Sequence, residues 1–310
     1  MRAIAIAESG AQPQVHDVAT PEPAEGEVRV RVHAASVNGF DLSVAGSHLV
    51  GMMEHRFPVV IGKDFAGVVD AVGAGVEGYA VGDRVFGVVT KEYLGDGSFG
   101  EYVTVPVAVG LAHLPASLSF TEGAALGLAG TAAVDAIDAA QVQAGQTVLV
   151  AGATGGVGNQ AVQLAVHAGA TVIATAHSDA ERDLVTRLGA SEVVDYTEDV
   201  AAQVLAAHPG GIDTVLHFAG DPAALLAAVR PEGRLASTRI MSADQLPSEH
   251  VTVASVYATP SQQTLEALAD HRAAERTTVT IERTYALEEV PQAFADFAAG
   301  TLGKLVITIA

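Results

Sequence analysis

The sequence predicts an α/β protein in two parts, a mainly β domain and a doubly wound parallel sheet. Three observations carry this. At 310 residues the chain exceeds the usual size of a single core. Its periodicity changes near Leu118 from short β-like runs to alternating helical and apolar segments. The stretch AGATGGVGNQA at residues 151–161 places four glycines directly after the apolar run Val148-Leu149-Val150.

Up to about Leu118, runs such as 27–37 and 65–72 are separated by glycine turns at Gly73-Ala74-Gly75 and Gly82-Asp83, the pattern of a twisted, largely antiparallel β domain. From Phe120 the order is helix 122–140, strand 148–151, helix 156–167, strand 171–176 and helix 180–188. Strand 192–195, helix 200–207, strand 214–218, a short helix near 222–229 and strand 233–237 follow. Strands apolar on both faces, alternating with helices, read as a parallel sheet covered on both sides. Strand 251–257, helix 262–276, a β segment near 279–285, helix 288–298 and strand 305–309 close the chain, the last part returning to the first domain. The expected domains are therefore 1–118 with 259–310, and 119–258.

Composition narrows the partners. A formal net charge of −20 without a basic cluster disfavours nucleic acid and anionic membrane surfaces, leaving small molecules. Residues 1–7 alternate like a strand rather than a secretory signal, and no apolar run approaches about 18 residues, so a cytoplasmic protein with no membrane span is expected. With no cysteine, disulfides, thiolate zinc sites and cysteine nucleophiles are excluded. None of the 11 histidines pairs at helical spacing, so no metal site is expected.

The glycine stretch follows a buried strand and opens a helix, a geometry that turns backbone N–H groups and the positive helix end toward a pyrophosphate. Two frames fit dinucleotide spacing, Ala153-x-Gly155-x-x-Gly158 and Gly156-x-Gly158-x-x-Ala161. In either, Gly155, Gly156, Val157 and Gly158 face the phosphates. An acid at the end of the next strand would hold the ribose 2′-hydroxyl of NAD, but Ala176-His177-Ser178 offers none. Ser178 and Arg182, with Tyr196 closing the following strand, favour a 2′-phosphate and hence NADPH. Ser178-x-x-Glu181 is also a capping box.

Beyond this loop, Gly82-Asp83-Arg84-Val85, Gly97-Ser98-Phe99-Gly100-Glu101-Tyr102-Val103 and Gly303-Lys304-Leu305-Val306 resemble, in the same order, the medium-chain dehydrogenases and reductases. Short-chain dehydrogenases share a similar glycine turn, but no tyrosine here has lysine four residues later. Within the medium-chain group, Ala35-Ser36-Val37-Asn38-Gly39-Phe40-Asp41 resembles the zinc-free, zeta-crystallin-like quinone oxidoreductases. The resemblance implies a GroES-like, mainly β substrate domain, a Rossmann domain, NADPH and a homodimer joined through edge strands near 251–257. Asn38 stands where the zinc alcohol dehydrogenases place a cysteine, and Gly62-Lys63-Asp64 replaces their Gly-His-Glu.

The implied reaction is zinc-independent hydride transfer to a quinone or related α,β-unsaturated carbonyl. Enals or enoyl thioesters, or an NADPH-binding redox sensor without turnover, are the alternatives. By the same resemblance Asn38 is the leading polar group at the substrate, with Asp41 nearby and Thr131 beside the nicotinamide. The bland readings are a turn-satisfying amide for Asn38, a helix N-cap for Asp41 and helix packing for Thr131. The family pattern often has tyrosine five residues after the asparagine, where this chain has Ser43. Lys63 is expected in a salt bridge with Asp64 or an adjacent acid, and residues 48–57, with Met52, Met53 and Phe57, at the rim of the substrate pocket. Phe218, Ala219, Ser237 and Lys304 complete the expected cofactor contacts, while His217 is read as a packing residue.

Overall fold

The computed structural model describes residues 1–309. The chain divides into two compact units, Met1–Leu128 with Pro260–Ala310, and Ala129–Thr259. The division falls inside the helix Phe120–Ala140 rather than ahead of it.

In the first unit, Glu27–Ser36 is the central strand because it alternates: Val28, Val30 and Val32 are buried while the arginines between them look outward. It pairs antiparallel with Asp64–Val72 and Tyr102–Pro106, and its end with Lys304–Thr308. Thus the last strand of the chain lies beside one of the first, as the expected return requires. Arg84–Val88 and Leu111–His113 extend one side of this sheet and Ile281–Ala286 the other. The core holds Phe65, Phe99, Ile61 and Leu111, all essentially without exposure.

Phe120–Ala140 is long and apolar enough to cross a membrane by those two measures alone, although Glu122 and Asp135 interrupt its apolar stretch. Of its 18-residue apolar window 67% is buried within the fold, as in a core helix. Ala124, Ala125 and Leu126 meet Phe86 and Leu114 of the β domain.

The second unit carries six parallel strands among the described residues, in the spatial order Glu192–Val194, Thr171–Thr175, Thr147–Ala151, Ile212–His217, Val229–Ser237 and Thr252–Ser255. Numbered along the chain this is 3-2-1-4-5-6, the doubly wound order, with its reversal between Thr147–Ala151 and Ile212–His217. Leu149, Ile173, Val215 and Leu235 are fully buried because helices cover both faces. Ligands of such sheets sit outside the carboxyl ends of the two strands at the reversal, where Ala151 and His217 lie in register.

Candidate active site

At that reversal the glycine loop is locked from several directions. The helix Gly156–His167 begins at Gly156 with Gly155 as its N-cap. Gly152 has φ +83°, and a Cβ there would stand 2.9 Å from the Ala219 Cβ, so only glycine fits the turn. A Cβ on Gly158 would run into the Gly152 carbonyl, which makes Gly158 the close-packing glycine. Around Gly155, by contrast, nothing but the Gly152 oxygen lies within 4 Å of a Cβ, at 3.6 Å. The frame Ala153-x-Gly155-x-x-Gly158 therefore describes this loop: the middle position is open for a phosphate and the last is packed. The first-turn N–H groups of this helix have no intrahelical carbonyl to meet, so the cradle fits a dinucleotide.

Two polar residues that the sequence reading passed over hold the loop. The Asn159 amide donates to the carbonyls of Ala153, Thr154 and Gly155 at 3.1, 2.9 and 3.2 Å, and the Gly152 N–H donates to Thr175 Oγ1 at 2.9 Å. The Phe218 N–H donates to the Ala151 carbonyl, bringing Phe218 and Ala219 against the loop. Ser237 is different. It is fully buried, sharing a 2.8 Å hydrogen bond with His217 Nδ1 and accepting from the Arg239 N–H, so the expected cofactor contact gives way to an internal one. His217, also bonded to the Gly220 carbonyl and lowered in basicity by burial, is the packing residue expected. Thr131 is likewise fully buried in its helix.

Near the next strand end, Ser178 caps the helix Asp179–Arg187, accepting from the Glu181 N–H while Glu181 accepts from the Ser178 and His177 N–H groups. Tyr196 donates to Glu181 at 3.0 Å. Arg182 reaches the His177 carbonyl and, at 3.4 Å, Asp195. The His177 hydrogen bond holds Asp195 well below the usual carboxylate range. Ser178, Arg182 and Tyr196 are thus brought together, with acids interleaved.

The first unit assembles a second polar cluster. Asn38 caps the helix Gly39–Ala45 and is 8% exposed. Its amide donates to the Ser36 carbonyl at 3.1 Å and to Asp64 at 2.8 Å, while its Oδ1 accepts from Lys304 at 2.7 Å. Both amide hydrogens are therefore used inside the domain. Lys304 is buried, donating to the Val37 carbonyl and standing 3.7 Å from Asp64. It orients Asn38 in place of the cofactor role expected for it, and burial lowers its basicity. Asp64 also accepts from Ser36 Oγ and the Leu128 N–H.

Asp41 is not the N-cap. It sits in the first turn, accepting the Asn38 N–H at 2.8 Å through Oδ2, with Oδ1 buried and without a partner. Burial, then the charge of Asp64, push it up to about 7.

Lys63 does not pair with Asp64, whose cation is Lys304. Its ammonium donates to the Val89 carbonyl at 2.7 Å and lies 4.8 Å from the Phe40 ring centre. It lines a shallow, partly open cleft together with Phe40, Val44, Val89, Tyr93 and Asp96. No residue of 48–57 lines this cleft: Met52 is 63% exposed and Met53 packs on the core.

Two family models match the chain, an alcohol dehydrogenase GroES-like domain over residues 24–116 and a zinc-binding dehydrogenase over residues 156–264. The pig (Sus scrofa) quinone oxidoreductase is 38% identical over 184 residues, 59% of this chain and 54% of its own length. The tomato (Solanum lycopersicum) 2-methylene-furan-3-one reductase is 36% identical over 188 residues, 59% of this chain and 48% of its own. The matches thus span about half the length of these relatives. Among solved structures, an NAD-dependent alcohol dehydrogenase superposes with TM-score 0.88 at 30% identity, covering 100% of both chains. The quinone oxidoreductase of Coxiella burnetii gives 0.90 at 26%, covering 100% of this chain and 99% of that one. A mycobacterial protein complexed with NADPH gives 0.84 at 27%, covering 99% and 100%.

Proposed function

Since the chain belongs to the medium-chain dehydrogenase/reductase superfamily, in its quinone oxidoreductase branch, we propose that it is a zinc-independent NADPH-dependent reductase of quinones or related α,β-unsaturated carbonyls. The observation that carries the reading is the loop at the sheet reversal, open at Gly155 and packed at Gly158, on the first turn of a helix. When bound, the dinucleotide supplies the hydride. Gly155, Gly156, Val157 and Gly158 hold its pyrophosphate through backbone N–H groups, and Phe218 and Ala219 wall the loop.

Ser178, Arg182 and Tyr196 take the 2′-phosphate. Arg182 turns from Asp195 to the phosphate, exchanging one charge-assisted contact for a stronger, doubly charged one. Zinc is not needed because the family's ligand positions carry Asn38 and Lys63, and the chain has no thiolate to supply. Conjugated acceptors suit this arrangement, since they spread the incoming charge onto oxygen. The tomato relative's name extends the class from quinones to enones.

Anaerobic oxidation of NADPH by a simple para-quinone and by a small enone, with NADH in parallel, tests the reading. NADPH-selective turnover is expected, and Arg182→Ala should reduce the NADPH preference about tenfold or more while leaving NADH turnover in place. NADPH bound without turnover of any acceptor would overturn the reductase and favour a sensor. Turnover selective for NADH would overturn the phosphate site alone.

A further inference from the structure

Just beyond the strand Thr171–Thr175, and wholly within the unit Ala129–Thr259, an imidazole stands among Ser178, Arg182 and Tyr196. His177 Nδ1 lies 2.9 and 3.1 Å from the two oxygens of Asp195 and 3.4 Å from Thr197 Oγ1. A carboxylate only accepts, so Nδ1 carries the proton of the neutral ring, and Nε2 is left without a partner among the described residues. The side chain is 54% exposed, and its ring centre is 6.0 Å from that of Tyr196. Thr197 donates to Asp195 through both its N–H and its Oγ1, at 2.9 and 2.7 Å, and so fixes the carboxylate that fixes the ring. The Arg182 Nε donates to the His177 carbonyl at 3.1 Å, which keeps the guanidinium beside the same residue.

The charges around this ring nearly cancel, and the ring decides the remainder. The helix Asp179–Arg187 supplies Glu181 and Arg182, the turn after Glu192–Val194 supplies Asp195 and the neutral hydroxyl of Tyr196, and the glycine loop at 151–161 has no charged side chain. With His177 neutral, two carboxylates outweigh one guanidinium, and the cluster opposes a phosphate monoester that is itself close to doubly charged. With His177 protonated the two signs balance, and a second N–H donor appears at Nε2. Histidine is the side chain whose charge changes between about pH 5 and pH 8.

We propose that His177 is a specificity-determining residue of the cofactor site: as the imidazolium, with its Nδ1–H held by Asp195, it binds the 2′-phosphate through Nε2–H, so that acidification raises the preference for the phosphorylated dinucleotide. This rests on the NADPH reading above. The 3.4 Å contact between Arg182 and Asp195 is the one given up when Arg182 turns to the phosphate. Asp195 is then left facing His177 and Thr197, which favours the charged ring further, so the proton and the 2′-phosphate each strengthen the binding of the other.

Binding, not turnover, tests this. Calorimetric titration with NADP+ and with NAD+ at fixed ionic strength, from about pH 6 to about pH 8.5, reads the ratio of the two affinities. The two ligands differ only in the 2′-phosphate, so groups that act on both, Asp41 among them, drop out of the ratio. The phosphate's own second ionisation, at about 6, works in the opposite sense and raises the ratio as pH rises. The wild-type ratio should nevertheless fall about tenfold over the range. His177→Asn keeps an N–H for Asp195 where Nδ1 was and has no titrating ring, so its ratio should start about tenfold below wild type and stay flat or rise. A wild-type ratio that favours NADP+ without falling, or an H177N ratio with the wild-type slope, would overturn the proposal. A ratio favouring NAD+ at every pH would overturn the phosphate site itself, which separates the two failures.

A second readout uses the wild type alone and stands even if H177N fails to fold. In a 15N,13C-labelled sample the ring nitrogens of His177 are followed by NMR through a pH titration, once with 2′,5′-ADP and once with 5′-ADP. The ring should keep its second proton to higher pH beside 2′,5′-ADP, with Nε2 showing the larger shift. Equal titrations with the two nucleotides would overturn the role given to His177.

Discussion

Asp41 is the residue whose surroundings have the clearest consequence for stability. Its carboxyl is fully buried beside Asp64, with one oxygen unpartnered, so the folded protein holds its proton more tightly than the unfolded chain does. A carboxyl raised on folding contributes stability that is complete below its unfolded value, near 4, and is lost as pH rises through about 7. Asp41→Asn keeps an acceptor for the Asn38 N–H and removes the charge. We expect denaturant titrations to show a variant that gains on wild type by a few kcal/mol at most as pH rises from 4 to 7, and a variant losing ground over that range would contradict the assignment. Little of this was legible in the sequence. Asn38 and Asp41 stood out as polar residues near a helix start, but that Lys304 would reach Asn38 and Asp64 depended on the last strand pairing with Ser36 and Ala35. Spacing along the chain carries no such information about residues more than two hundred positions apart, and for the same reason the sequence points Lys63 to its neighbour Asp64, where Lys304 holds that place.

Elements were legible where their signals were local. The helix Gly156–His167 and the helix Val200–Ala207 start and end where the sequence places them, and the structure caps the second with Asp199. The helix Asp179–Arg187 was announced by its capping box, and the box forms: Ser178 Oγ accepts from the Glu181 N–H and Glu181 returns to the Ser178 N–H. Strand ends were less clear, since Thr252–Ser255 is shorter than its apolar flanks imply; pairing with Val229–Ser237, a matter of tertiary register, decides where it stops. The cap has a measurable weight apart from any ligand. Ser178→Ala should cost about 1 kcal/mol in the absence of nucleotide, a fall of roughly 2–4 °C in melting temperature for a unit of this size, and Ser178→Gly only a few tenths of a kcal/mol. Calorimetry on both variants checks this, and an Ala variant as stable as wild type would mean that Glu181 holds the helix start unaided.

At the scale of the whole molecule, the two-part plan could be read because periodicity changed near Leu118. The role of the sheet edge near 251–257 came from the family resemblance and not from periodicity, because an edge is defined by what fails to pair with it. In the six-stranded sheet, Thr252–Ser255 pairs on one side only, with Val229–Ser237, and its other side offers backbone N–H and C=O groups. Such an edge invites another strand unless charge, proline or a covering segment guards it, and the sequence TVAS contains no charge and no proline. Two copies joined antiparallel through this edge would continue one sheet across a two-fold axis, the isologous arrangement that closes on itself. We therefore expect a dimer in light scattering. Val253, only partly buried in the single chain, is the residue at which to break it. Val253→Lys adds to the strand an unpaired charge, the device that blunts natural edges, and should shift the protein to monomer with little change in nucleotide binding, since Gly155 and Gly158 lie on a different strand-to-helix turn. A V253K protein that remains dimeric at micromolar concentration would place the association on another face.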